Sequence, residues 1–146
     1  NGTGDARAIP LTGSGFYAFP EWSPDSKKIA FVDNGRRLYV LDVASGKQTT
    51  IAEDVHYVPG AFRQLFGSWS ADGNFLAYTL ITQTNFEQAF IYSLSEAKSY
   101  PVSDGLSNVT EPRFDPSGKY LYMLASTDAG PVVNWFDQSN QDMTST

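Results

Sequence analysis

The sequence predicts an all-β chain built from the four-stranded antiparallel blades of a β-propeller, with about two and a half blades present. Three observations carry this. Three segments align without gaps, led by Trp22, Trp69 and Phe114, which stand 47 and then 45 residues apart. That period lies in the band of four-stranded propeller blades. Each segment places turn chemistry between two β-rich runs. No stretch has helical periodicity over about 11 residues.

The elements follow in chain order. Residues 6–12 read as the last strand of a preceding blade. A blade over 19–52 comes next. Its lead run Trp22-Ser23-Pro24-Asp25 enters a tight turn, where Pro24 suits the position that needs φ near −65°. In the second and third copies Gly73 and Gly118 supply the positive φ of that turn, and Ser26 stands there in the first. Ile29 to Val32 is the second strand, and Asp33-Asn34-Gly35 is a type I′ hairpin signal. Leu38 to Leu41 is the third strand and Thr49 to Ile51 the fourth. The blade over 66–103 repeats the plan with Leu76 to Leu80, Phe90 to Tyr92 and Ser99 to Val102. An incomplete blade fills 111–146. The third strands do not alternate cleanly, which suits strands covered on both faces. Propellers close with about four to eight blades. These residues are therefore expected to be a piece of a longer protein, or one part of a propeller assembled from several short chains. Asn1 rather than Met at the start fits the first expectation.

Composition narrows the function. Ten Lys and Arg against 16 Asp and Glu give a formal charge of −6. A nucleic-acid partner is not expected, because such a chain needs a basic stripe to displace counterions. No apolar run approaches the roughly 18 residues of a membrane span. There is no Cys and one His, which removes disulfides, thiolate metal sites and Cys nucleophiles. No cofactor or metal is expected. The lack of Cys fits cytoplasm or periplasm.

Candidate binding residues come from where the repeats differ, because insertions map to loops. From Trp22 to Lys47 is 25 residues, whereas Trp69 to Lys98 is 29, which puts four extra residues near Thr82 to Gln88. From Lys47 to Trp69 is 22 residues, whereas Lys98 to Phe114 is 16, which puts six extra residues near Val55 to Phe66. The third such loop opens at Ser126. In an up-and-down meander these long loops share one end of the sheets. They carry His56, Tyr57, Phe62, Arg63, Phe86, Trp135 and Phe136, and aromatics and arginine dominate binding hot spots. That end is the expected contact for peptides or a protein partner. The rings could instead fold back as loop anchors. Arg36-Arg37, at a hairpin tip, could hold a carboxylate such as a peptide C-terminus, or be a solvated turn.

Other candidates carry less. His56 has no partner at a recognisable spacing. No G-x-S-x-G nucleophile elbow exists. Gly13-Ser14-Gly15 reads as a flexible linker. Asp25, Asp72 and Asp115 fall at turn positions, where their oxygens cap the backbone. Trp22 and Trp69 recur in register and read as core. Asn108-Val109-Thr110 matches a glycosylation sequon.

Trp22-Ser23-Pro24-Asp25 with Lys28-Ile29-Ala30-Phe31, and its two echoes, resemble the WD40-like PD40 repeats of TolB, prolyl-oligopeptidase-type enzymes and tricorn proteases. Phe114-Asp115-Pro116-Ser117-Gly118-Lys119-Tyr120-Leu121-Tyr122, leading to Leu124-Ala125-Ser126-Thr127-Asp128, is similar to a run in bacterial tricorn-protease homologues. That resemblance implies an N-terminal propeller region of a serine peptidase. It further implies a PDZ domain and an S41-type core elsewhere in the parent, with the propeller scaffolding the core and gating peptides to it. No family catalytic motif falls within these residues. A TolB-like interaction propeller and the lid propeller of a prolyl-oligopeptidase-type hydrolase are the alternatives. The partners so implied are peptides or a protein, and the remaining blades of the parent or other copies of the chain.

Overall fold

The computed structural model describes residues 4–55 and 62–126. Among them are ten β-strands and no helix. Strands β1 (Tyr17–Trp22), β2 (Lys28–Asp33), β3 (Arg37–Asp42) and β4 (Gln48–Glu53) form one antiparallel sheet in chain order. Strands β5 (Phe66–Trp69), β6 (Phe75–Ile81), β7 (Glu87–Ser93) and β8 (Lys98–Pro101) form a second, again in chain order. Strands β9 (Val109–Phe114) and β10 (Leu121–Ala125) pair to begin a third. These are blades one, two and three.

The lead aromatics sit at one register. Trp22 pairs with Ile29, Trp69 with Leu76, and Phe114 with Leu121. The turn that follows is built the same way each time. Ser23 N–H donates to the Lys28 carbonyl, Ser70 N–H to Phe75, and Asp115 N–H to Tyr120, all at 2.9 Å. Asp25 and Asp72 each accept a serine hydroxyl at 2.6 Å, from Ser23 and Ser70. Asp115 accepts the Ser117 N–H at 3.1 Å. The closing residue takes positive φ in all three copies: Ser26 at 57°, Gly73 at 69° and Gly118 at 72°.

Each innermost strand also carries a bulge two or three residues before its lead aromatic. Register shifts fall between Ala18 and Glu21, between Phe66 and Ser68, and opposite Tyr122 and Leu124. The bulge holds Pro20, Gly67 or Pro112. Proline is tolerated there because a bulged residue has no ladder bond to donate. Phe19 and Glu111, just before the prolines, take φ of 54° and 50°.

Blade two is covered on both sides. Ala30, Val32, Leu38 and Val40 of blade one form a single buried cluster with Leu65, Phe66, Trp69, Leu76, Tyr78 and Tyr92. On its other side β9 packs across β5, β6 and β7. The Trp69 indole N–H reaches the Glu21 carbonyl at 3.4 Å. Fully burying one leucine-sized side chain contributes about 1.5–3 kcal/mol, against about 0.5–1.5 kcal/mol for a hydrogen bond. Apolar burial therefore holds the junction, and the long indole bond sets its register.

Three sequence expectations change. Residues 6–12 form no strand, because among the described residues no third strand stands beside them to pair with. They lie against the free side of blade one instead, with Ile9 and Leu11 packed on Phe31, Tyr39 and Leu41. The hairpin after β2 is not type I′. Neither Asn34 nor Gly35 has positive φ, and the left-handed residue is Arg36 at 58°. The Arg36 N–H bonds the Asp33 carbonyl at 2.9 Å, which gives a four-residue turn followed by a left-handed residue. Trp22 is not core. It is 54 % exposed, whereas Trp69 is 6 % exposed, because among the described residues only Trp69 has a blade in front of it.

Blade three rests on blade two at Gly67. A Cβ there would meet the Pro112 carbonyl oxygen at 1.9 Å. Gly67→Ala is expected to lower stability by about 3 kcal/mol, the upper range for overpacking. Urea unfolding reads this, and an unchanged midpoint would show that Pro112 does not press on Gly67.

Candidate functional site

Among the described residues, the loop between β6 and β7 and the end of the connection between β4 and β5 meet at one end of blade two, and the third long loop lies outside the described residues. Within blade two, the Thr82 N–H bonds the Phe86 carbonyl at 2.9 Å and closes the loop between β6 and β7. That loop then bonds the connection leaving β8. The Thr84 hydroxyl reaches the Gly105 carbonyl at 3.3 Å, and the Gln88 amide reaches the Ser103 carbonyl at 2.5 Å. Asn108 Oδ1 accepts the Glu87 N–H at 2.9 Å, so the sequon asparagine serves as a loop tie.

Arg63 is the hub of this end. It arrives on the connection between β4 and β5. Its Nη2 donates to Asp54 Oδ2 at 2.8 Å, and its Nη1 lies 2.5 Å from Glu87 Oε1. The second contact is an ion pair without hydrogen-bond alignment, and among the described residues Nη1 has no hydrogen-bond acceptor. Glu87 Oε1 also accepts the Thr79 hydroxyl at 2.5 Å. Asp54 is only 3 % exposed, and the Arg63 guanidinium is one of its partners. The Arg63 guanidinium thus bridges two carboxylates. It locks the end of β4, the connection before β5, and strands β6 and β7 into one geometry.

The hub opens on a groove of about 310 Å³ between blades two and three, walled also by Thr110, Glu111 and Arg113. Burial pushes the Glu21 carboxyl above its usual range, and the positive charge of Arg113 pulls it partly back. Glu21 and Arg113 occupy the same repeat position, one residue before the lead aromatic of their innermost strands. Phe62, beside Arg63 in sequence, joins two further rings. Its ring stacks on Phe19 at 5.6 Å and meets Phe16 edge-on at 6.1 Å. Phe16 is 59 % exposed and Phe19 37 %. The end thus offers paired charges in a groove and an exposed aromatic surface beside Arg63.

Of the residues expected here, Phe62, Arg63 and Phe86 lie at this end, all partly buried. His56, Tyr57, Trp135 and Phe136 lie outside the described residues. Arg36 and Arg37 are at the tip of the hairpin between β2 and β3. Arg37 already holds a carboxylate, with Nε 3.2 Å from Glu53 Oε2. Arg36 points a guanidinium nitrogen at the Val55 carbonyl, 3.5 Å away. Phe16 and Phe19 were not legible as site residues. They precede the repeat's lead aromatic and fall in no long loop. Among the described residues no group of three His, Cys, Asp or Glu could hold a metal ion.

Gly13-Ser14-Gly15 is not a linker but half of a polar lock. Asp33 is fully buried. Its Oδ1 accepts the Arg37 N–H at 3.0 Å, and its Oδ2 accepts the Ser14 N–H and the Tyr39 hydroxyl, each at 3.1 Å. The Ser14 hydroxyl accepts the Gly35 N–H at 3.1 Å and bonds Asn34. Gly13 has φ of 133°, and a Cβ there would come within 2.7 Å of Asp33 Oδ2. The loop before β1 is thereby tied to the arginine hairpin.

Stacked four-stranded meanders, each starting from its innermost strand, define a β-propeller. The chain belongs to the family of the dipeptidyl peptidase IV N-terminal region, whose pattern it matches over residues 3–107. The crystal structure of the tricorn protease superposes with a TM-score of 0.64 at 19 % identity, over 75 % of this chain and 11 % of that one. The crystal structure of TolB from Acinetobacter baumannii superposes with a TM-score of 0.55 at 25 % identity, over 75 % of this chain and 26 % of that one. The chain therefore spans a small part of either protein.

The Asp33 lock gives a pH dependence of defined sign. Burial raises the Asp33 carboxyl, but the N–H groups of Arg37 and Ser14 and the hydroxyls of Ser14 and Tyr39 outweigh it, and the net direction is down. A carboxyl lowered by folding stabilises fully above its ordinary pKa of about 3.9 and loses that contribution as pH falls through the folded value. Asp33→Asn is expected to be less stable than the parent at neutral pH, with the gap closing below about pH 4. Urea midpoints across that range measure it. A constant gap would show that Asp33 is not the titrating group.

Proposed function

We propose that this chain is a non-catalytic propeller segment of a tricorn-like serine peptidase. It scaffolds the enzyme and gates peptides toward a peptidase core that lies outside these residues. The observation that carries the reading is the end where the long connections meet. There the Arg63 clamp, the groove beside it and the Phe16–Phe19–Phe62 rings offer ionic, hydrogen-bonding and apolar contacts together. A peptide brings all three kinds of group, and rings with arginine are the residue types that concentrate binding energy. Kinship with the dipeptidyl peptidase IV N-terminal region supports a place beside peptidase chemistry. Likeness to TolB supports a second reading, an interaction propeller whose same end grips a protein partner without any enzymatic role.

Fluorescence anisotropy of labelled peptides against the chain tests the first reading. Binding is expected to weaken about tenfold in Phe62→Ala, which corresponds to about 1.4 kcal/mol. Arg63→Lys is expected to weaken it too, because lysine keeps a charge near Asp54 but cannot bridge two carboxylates. The chain alone should release nothing from chromogenic peptide substrates. Turnover by the chain, or peptide binding indifferent to both substitutions, would overturn the proposal.

A further inference from the structure

The loop before β1 lies over the hairpin that joins β2 to β3, and Ser14 makes the closest connection. The Asn34 N–H donates to the Phe16 carbonyl at 3.1 Å. The Gly35 N–H donates to Ser14 Oγ at 3.1 Å, and the Ser14 hydroxyl donates in turn to Asn34 Oδ1. One hydroxyl therefore holds both the amide nitrogen of Gly35 and the side-chain carbonyl of Asn34. The Ser14 N–H is itself anchored on Asp33 Oδ2 at 3.1 Å. Asp33 is fully buried, so the anchor lies in the interior of blade one.

The two groups that Ser14 holds are the reacting pair of an intrinsic backbone reaction. An asparagine followed by glycine cyclises readily, because glycine has no Cβ to obstruct its own nitrogen. The Gly35 amide nitrogen gives up its proton to solvent and attacks Asn34 Cγ. A C–N bond forms, the bond from Cγ to the side-chain nitrogen breaks, and ammonia leaves. Water then opens the cyclic imide at either carbonyl, to aspartate or to isoaspartate. Asn34 is exposed at the hairpin tip, so water reaches it. The sequence has a second Asn-Gly pair, Asn1-Gly2, which lies outside the described residues. Asn74, Asn85 and Asn108 precede Phe75, Phe86 and Val109, whose side chains crowd the attacking nitrogen.

We infer that Asn34-Gly35 is a deamidation site held in check by Ser14. Ring closure needs a bare Gly35 nitrogen brought over Asn34 Cγ. The Ser14 hydroxyl engages that nitrogen's proton and the Asn34 carbonyl at once, so both bonds must break first. The turn adds a second restraint. The Arg36 N–H bonds the Asp33 carbonyl at 2.9 Å and the Arg37 N–H bonds Asp33 Oδ1 at 3.0 Å, which fixes the backbone on both sides of the pair. Detachment of the loop at Ser14 starts the reaction, and the product does not revert. Isoaspartate lengthens the backbone inside the Asp33-to-Arg36 turn. Aspartate sets a new negative charge beside the buried Asp33 carboxylate, and like charges disfavour each other. Either product weakens the lock, so the hairpin keeps a lasting record of loop detachment. The inference does not depend on the peptide-gating reading.

Incubation of the chain at mildly alkaline pH, followed by mass mapping of tryptic peptides, tests it. Cleavage after Arg7, Lys28 and Arg36 isolates Asn34 in residues 29–36, apart from Asn1 in residues 1–7. The folded parent should convert Asn34 far more slowly than the same chain in urea. Ser14→Ala should convert it about tenfold faster than the parent, the factor that one ordinary hydrogen bond supplies. Alanine keeps the backbone N–H on Asp33, so the loop retains its anchor. Ser14→Thr returns the hydroxyl and should stay as slow as the parent. A folded parent that converts as fast as in urea overturns the inference, as does a Ser14→Ala rate equal to the parent's. Equal acceleration in Ser14→Ala and Ser14→Thr also overturns it, because the hydroxyl is then not the guard. No conversion of Asn34 even in urea overturns the site itself.

Discussion

A blade has two apolar faces, and a four-stranded sheet with both faces wet has no stable place to put them. The rest of this structure follows from that constraint. The face of blade one that carries Val32 and Leu38 is buried only because Trp69, Leu76 and Tyr78 stand against it. The innermost strands approach so closely at Gly67 that a side chain is excluded. The repeated bulge lets each inner strand turn its lead aromatic toward the blade in front. The same stacking aligns the loop ends, so Arg63 from one connection can meet Glu87 from another.

What the sequence revealed and what it hid divide along a physical line. Local chemistry was legible except at the Asn34-Gly35 hairpin, where Arg36 takes the left-handed conformation instead. The serine–aspartate turns, the positive φ at Ser26, Gly73 and Gly118, and the order of strands all depend on neighbours within a few residues. Loop-length arithmetic found the longer connections after β4 and β6, the two that the described residues include or flank. Features decided by distant neighbours were not legible. Trp22 and Trp69 look alike in sequence, and only a neighbouring blade distinguishes buried from exposed. Residues 7–12 have strand-like composition but no ladder to join. Ser14 reads as a linker until the buried Asp33, 19 residues on, is seen to accept its N–H.

The site was half visible for the same reason. Arg63 stood out because its loop is long. Its contacts with Asp54 and Glu87 needed the fold, and they alter its meaning. It is a clamp that shapes a groove rather than a free cation that waits for an anion. Phe16 and Phe19 escaped because an inner strand's opening residues look like ordinary strand residues. Their exposure appears only when β1 is seen with Phe62 across from it.

Blades one and two are held as a unit by the Trp69 junction. Native-state hydrogen exchange on the amides of β2, β3, β6 and β7, in the parent and in Trp69→Ala, tests this most directly. The substitution is expected to lower the opening free energy of both blades together. Loss of protection confined to β6 and β7, with β2 and β3 unchanged, would contradict it.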